Sequence, residues 1–368
     1  MSRPGGSTGV LTDRQVDINA TRLADRVSGK PADRPAPRPP VGATISAPRR
    51  APISAPREAL GDGVFATVDD AVDAAANAFR ELDGMSLEGR QKIIASIRES
   101  MSENAEELAR LAHAETGLGR VADKIVKNRL VTRKTSGTEV LTPQAVTGDN
   151  GLTLTEYAPY GVIGAITPTT NPTSTIICNT IAMVSAGNSI VFNVHPNARE
   201  CSMANVRLIH QAITRAGGPA NLVTAVATPT IESAQQLMGH KGVRLLAVTG
   251  GSGVVRQAMT SGKRAICAGP GNPPVVVDTT ADLDYAARNI IAGASFDNNI
   301  VCVDEKEVIA VDSIADELVQ RMGHHGARVL NDRELHKVTN VIFTEYPGRR
   351  QRATLEKDLI GKNASEIL

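Results

Sequence analysis

The sequence predicts an α/β protein, a parallel doubly wound sheet with helices on both faces, preceded by a disordered tail with one amphipathic helix. Three observations predict this. From Thr153 onward, short apolar runs alternate with helical stretches, an order that needs crossover connections. Glycine and polar clusters follow those runs: TPTTNPT after VIGAI, HPNA after VFNV and TGGSG after LLAV. Ligands on such sheets bind at the carboxyl ends of strands, so these clusters are candidate site loops. Ahead of the sheet, residues 30–56 are dense in Pro, Ala and Arg, with almost no large apolar side chain.

Taken in order, residues 1–10 are rich in Gly, Ser and Pro and are expected to be disordered. Residues 12–28 place Val16, Ala20, Leu23, Ala24 and Val27 on one helical stripe, with Arg14, Asp17, Arg22, Asp25 and Arg26 opposite. That spacing predicts a short amphipathic helix. The Pro-rich run after it buries too little surface to fold and reads as a semi-rigid linker. A lone helix on such a tether is either a peptide that docks in a partner's groove or a chance periodicity.

From Val64 the chain becomes globular. Thr67 with Asp70 resembles a capping box opening a helix over 67–83. A second helix is expected from Ser86 to a stop at Gly117, and a third over 119–135. Strands are then expected at TLTEYAP, VIGAIT, SIVFNV, LVTAV and RLLAVTG, with helices over 172–186, 198–216, 231–239 and 253–261.

Composition narrows the function. The chain has 368 residues, 41% of them hydrophobic and 21% charged, the balance of a soluble globular protein. Forty Lys and Arg against 39 Asp and Glu leave a net charge of +1, which gives no support to a nucleic-acid partner. No apolar run approaches the roughly 18 residues of a membrane span, and no secretory signal opens the chain. Cys178, Cys201, Cys267 and Cys302 lie far apart with no CxxC pair, as in a reduced cytosolic protein. The His residues form no HxxxH or HExxH pair, and no structural metal is expected.

Two segments carry chemistry. TGGSGVV at 249–255 has the order strand, glycine turn, helix start, where backbone N–H groups and the helix dipole suit a phosphate. It is not GxGxxG, and taken alone a helix C-cap or tight turn is its plainer reading. GASFDNNIVCVDEKEV at 293–308 puts Cys302 in a polar loop flanked by Asp297, Asn298, Asn299, Asp304, Glu305 and Lys306. Those neighbours argue against simple core burial, although a nucleophilic thiolate needs donors or positive charge that spacing cannot prove. Cys178, within an apolar helix, reads as packing.

Together, ITPTTNPTSTIICNTIAMVSAGNSIVFNVHPNA, AVTGGSGVV, AGPGNPPVVVD and SFDNNIVC resemble, in order, the motifs of CoA-acylating aldehyde dehydrogenases. The likeness is greatest to the propionaldehyde and acetaldehyde dehydrogenases of bacterial microcompartments, and it covers residues from about 61 to 368. The resemblance implies a Rossmann-like NAD-binding domain over 61–265, an incomplete α/β catalytic domain over 266–368, and a targeting helix with its linker over 1–60. It also implies a chain that stops before the rest of the family's catalytic domain, its ribose-binding carboxylate and its flap strand. Cys302 matches the nucleophile, and Asn171 matches the amide of the oxyanion hole. Gly250, Gly251 and Ser252 match the turn that meets the cofactor pyrophosphate. His195 stands where hydrolytic relatives carry a Lys toward the adenosine ribose, and Thr167 and Pro168 match the nicotinamide side.

One departure bears on mechanism. Where hydrolytic relatives carry a Glu that activates water, this sequence has Cys267 in AICAGPGNPP, with no carboxylate. Without a general base the acyl-enzyme is expected to wait for the thiol of coenzyme A. The resemblance therefore implies a cytoplasmic enzyme of the microcompartment lumen that uses NAD and coenzyme A on a short aldehyde. It implies a homo-oligomer for the full-length protein, and a shell protein as partner through residues 12–28. Two other readings are an inactive cargo fragment of such an enzyme and a glutamate-semialdehyde-type reductase.

Overall fold

The structure, a computed structural model, describes residues 60–348, 351 and 353–367; the helix expected over 12–28 lies outside them. The chain begins with β1 (Val64–Phe65) and four helices: α1 (Val68–Asp83), α2 (Leu87–Glu103), α3 (Ala105–Thr116) and α4 (Val121–Lys134). A hairpin follows, β2 (Gln144–Gly148) and β3 (Gly151–Thr155). Then come β4 (Val162–Ile166), α5 (Pro172–Ser185), β5 (Ser189–Asn193), α6 (Arg199–Arg215) and β6 (Val223–Val226). The alternation continues through α7 (Ile231–Gly239), β7 (Val243–Thr249), α8 (Ser252–Met259) and β8 (Ala265–Ala268). The last part holds β9 (Pro274–Val277), α9 (Leu283–Ser295), β10 (Glu307–Ala310), α10 (Asp312–His324) and α11 (Asp332–Ile342). Short β11 (Phe343–Glu345), β12 (Thr354–Leu355) and α12 (Ala364–Ile367) end the described chain.

Six strands form one parallel sheet in the order β1-β6-β5-β4-β7-β8. Strands β4, β5 and β6 are buried along their whole length, as expected when helices cover both faces. On one face Ile93, Ile97, Ile181, Phe192, Ile209 and Ile213 pack α2, α5 and α6 onto the sheet. On the other, Phe65, Val72, Val191, Leu237, Leu246 and Ala258 do the same for α1, α7 and α8. The doubly wound expectation holds. The chain moves one way from β4 to β5 and β6, then returns to the other side of β4 with β7, so the switch point lies between β4 and its neighbours. β8 completes this sheet and lies across the 265/266 boundary expected from sequence. Strands β9 and β10 then pair parallel in a separate small sheet, with Val277, Ala287, Ile290 and Leu318 as its core.

Two elements differ from expectation. The helix expected from Ser86 to Gly117 is two helices, broken at Asn104. The Asn104 side chain donates to the Ser100 carbonyl at 2.8 Å, a local bond that competes with helix continuation. Near TLTEYAP the strand spans Gly151–Thr155 and pairs antiparallel with Gln144–Gly148, a partner not anticipated. Every residue of this hairpin is exposed, so no burial pattern marked it; the Asp149–Asn150–Gly151 turn was its signal.

Helix α4 is built inside out. Its polar Lys124, Lys127, Asn128 and Thr132 are buried, while Val126 and Leu130 are 52% and 54% exposed. The buried lysines face Asp297, itself fully buried, at the start of the loop that carries Cys302.

Candidate active site

The principal cavity, about 690 Å³, opens at the carboxyl ends of β4, β5, β7 and β8. The loop after β4 contributes Thr167, Pro168 and Asn171, and the loop after β5 contributes His195. Gly250 and Gly251 come from the turn after β7, and residues 268–271 from the end of β8. Cys302 and Lys306 close the cavity from the segment before β10. Of the residues matched from sequence to catalytic or cofactor-binding roles, only Ser252 is not in its wall; it is the first residue of α8.

Each group is held by its surroundings. Asn171 stands immediately before α5, whose first residue, Pro172, suits a helix start. Its Nδ2 donates to Thr170 Oγ1 at 3.1 Å, and its Oδ1 accepts from Lys127 Nζ at 2.5 Å. Cys302 is half-buried and follows three consecutive left-handed residues, Asp297, Asn298 and Asn299, with φ of 46°, 55° and 58°. Only Asn and Asp among residues with a Cβ visit that region readily.

Side-chain bonds hold that turn in place. Asn299 Nδ2 donates to the carbonyls of Ala294 and Glu305, and Asn298 Nδ2 to that of Gly361. Asp297 accepts from the Arg120 amide at 2.6 Å, from Lys124 Nζ at 3.2 Å and from Lys127 Nζ. Lys306 Nζ donates to the Val301 and Asp304 carbonyls on either side of Cys302. Burial and the neighbouring Lys124 together push Lys127 down to about 8.

The other cysteines separate cleanly from Cys302. Cys201 is fully buried and its thiol is pushed well above the usual range, chiefly by burial. Cys178 sits half-buried in α5. Cys267 packs beside Ala265 against the core under β7, while its neighbour Ala268 lines the cavity. Strand alternation explains this: successive side chains leave β8 on opposite faces. The strand-end position that faces the cavity is therefore Ala268, where the sequence alone pointed to Cys267.

The wall also suits a nicotinamide dinucleotide. Thr167 Oγ1 is buried in the wall with no hydrogen-bond partner among the described residues. Gly251, at the N-cap of α8, offers no capping side chain, and the space around the Cβ positions of Gly251 and Gly253 is open. Backbone N–H groups there are free to meet a pyrophosphate. His195 Nδ1 accepts from the Asn197 amide at 3.1 Å, and burial lowers its pKa, so the ring is neutral at pH 7.

Sequence reasoning missed Lys124 and Lys127, and it named Asp297 only as a flanking residue. Their signal was present in the spacing: Lys124, Lys127 and Asn128 share one helical face.

A model of the aldehyde dehydrogenase family matches residues 60–341. An acetylating acetaldehyde dehydrogenase of Bilophila wadsworthia is 51% identical over 286 residues, covering 77% of this chain and 59% of the relative. The chain therefore spans about three fifths of that relative's length. A propionaldehyde dehydrogenase from the Clostridium phytofermentans fucose utilisation microcompartment is 47% identical with a TM-score of 0.77. That match covers 83% of this chain and 69% of the other. A Rhodopseudomonas palustris propionaldehyde dehydrogenase with bound CoA and an acylated cysteine is 46% identical with a TM-score of 0.78, covering 84% and 70%.

Proposed function

The chain belongs to the aldehyde dehydrogenase family, and from that premise we propose that it oxidises a short aldehyde to its acyl-CoA through a cysteine thioester. The observation that carries the reading is the convergence of Cys302, Asn171 and the Gly250–Gly251 turn on one cavity.

The thiolate of Cys302 adds to the aldehyde carbon and forms a thiohemiacetal. Asn171 Nδ2 donates to the developing alkoxide, a contact worth on the order of 3 kcal/mol in comparable oxyanion holes. A nicotinamide held in the cavity would supply the acceptor for the hydride that leaves the thiohemiacetal carbon as the thioester forms. In this proposal Thr167 and Pro168 of the cavity wall meet the nicotinamide, and Gly250 and Gly251 of the wall, with Ser252 at the start of α8, meet the pyrophosphate. NAD in preference to NADP is part of the proposal, with the neutral His195 toward the ribose. No carboxylate stands in the wall at the end of β8, so water lacks a general base. The thiol of coenzyme A then displaces Cys302 from the thioester and leaves as acyl-CoA.

The named relatives support the surroundings as well as the reaction. One comes from a microcompartment, and one has CoA bound and its cysteine acylated. The proposal accordingly includes a site of action in a microcompartment lumen, self-association, and a shell protein met through residues 12–28. Among the described residues no helix is long and apolar enough to cross a membrane. The proposed division is a tail over 1–60, a cofactor domain over 61–265 and a nucleophile domain over 266–368, with β8 of the cofactor sheet carrying the chain across the last boundary.

Rapid mixing with NAD and propanal is expected to give a burst of NADH approaching one per chain, followed by propionyl-CoA once CoA is added. A chain that forms no NADH and no acyl-enzyme by mass spectrometry is the inert cargo form instead.

A further inference from the structure

One contact in the cavity wall has no part in the chemistry above. Lys127 Nζ lies 2.5 Å from Asn171 Oδ1 and also holds the Asp297 carboxylate. An Asn side chain ends in an acceptor oxygen and a donor nitrogen of similar size, and only the nitrogen can stabilise an alkoxide. The Thr170 hydroxyl, Asn171's other partner, can donate or accept and so tolerates either orientation of the amide. An ammonium group has donors only. With the amide flipped, NH₂ would face NH₃⁺ and the oxygen would face the alkoxide.

The lysine is firmly held. It projects from α4, is 6% exposed, and shares the fully buried Asp297 with Lys124. Asp304, beyond Cys302, is the other carboxylate whose charge acts on it. From this geometry we infer that Lys127 is a positioning residue, fixing Asn171 with Nδ2 toward the oxygen of the thiohemiacetal. The inference rests on the acyl-transfer reading proposed above. Lys127 acts through Asn171 and does not touch the aldehyde. Its second anchor, Asp297, opens the turn that leads to Cys302, so one side chain ties the oxyanion donor to the nucleophile's loop.

A double-mutant cycle on the NADH burst tests this, with Lys127→Met and Asn171→Ala alone and together. Asn171→Ala is expected to slow acylation about 10²-fold or more. Lys127→Met is expected to slow it about tenfold or more, and the double variant is expected to match Asn171→Ala within about threefold. Binding of the nicotinamide should be unchanged in Lys127→Met, and alkylation of Cys302 by iodoacetamide should be unchanged in Lys127→Gln, which can still donate to Asp297. If Lys127→Met does not fold, Lys127→Gln replaces it in the cycle; it can still donate to Asp297 but accepts both amide orientations. A contact readout needs no turnover: the ¹⁵N side-chain amide signal of Asn171, identified by its loss in Asn171→Ala, should shift in Lys127→Met or Lys127→Gln. Losses that multiply in the double variant, or an unmoved amide signal, overturn the inference. A wild-type chain without a burst overturns the functional reading, and the amide signal then decides the contact on its own.

Discussion

The carboxylate of Asp297 fills the space a side chain on Gly119 would need. A Cβ at residue 119 would stand 2.0 Å from Asp297 Oδ1, and Gly119 has a φ of +67°. The loop before α4 is thus cut away to admit the anion that its lysines bind. Gly119→Ala carries both a left-handed strain and a direct clash, and should destabilise the protein by at least about 2 kcal/mol. The burst rate should fall with it, because the turn leading to Cys302 loses its anchor. Thermal unfolding and burst kinetics check this; a stable variant with an unchanged burst would contradict it.

Cys302→Ala should abolish both NADH formation and acyl-CoA formation while leaving nicotinamide binding and the melting temperature nearly unchanged. Cys178→Ala should keep the burst. Cys201→Ala should keep it too, at a cost of about 1 kcal/mol for a buried thiol replaced by a methyl. Residual burst in Cys302→Ala would assign the nucleophile elsewhere.

A general base placed in the wall should reopen the route to water. Ala268→Glu, at the cavity-facing position of β8, is expected to release free propionate from the acyl-enzyme without CoA. Cys267→Glu aims its carboxylate into the packing under β7 and should cost about 1–3 kcal/mol without gaining hydrolysis. Propionate release in the absence of CoA, measured beside the melting temperature, separates the two.

Asp304 gives a pH test of stability. Burial raises its pKa to about 6, and its Oδ2 has no hydrogen-bond partner among the described residues. The folded carboxyl therefore holds its proton to a higher pH than the unfolded one, whose pKa is about 3.9. Stability is full below the unfolded value and is lost as pH rises through about 6. Asp304→Asn should be level with the wild type near pH 4 and about 1–2 kcal/mol more stable at pH 7, after allowing for screening by solvent. Denaturant melts at the two pH values read it; an equal difference at both would refute the assignment.

The architecture was readable where burial leaves a pattern. Strands buried on both faces read as apolar runs, and the loops after VIGAI, VFNV and LLAV meet in one cavity because parallel strands deliver their ends to the same side. Asn104 broke a helix through a side-chain bond that helical periodicity does not register. The hairpin at 144–155 exposes both faces and so has no inward stripe to detect. Lys124, Lys127 and Asp297 were illegible for a different reason. Charged residues on a helix read as a solvated face, and their burial depends on a partner 170 or more residues away.

Helix α4 turns surface engineering around. A scheme that trims lysines to lower surface entropy and promote crystallisation would select Lys124 and Lys127 by residue type, and would strip two cations from a buried anion. Breaking such a pair costs about 3–5 kcal/mol. Polar replacements at Val126 and Leu130 would remove an apolar patch and leave the anchor intact. On this helix the residues safe to exchange are the greasy ones.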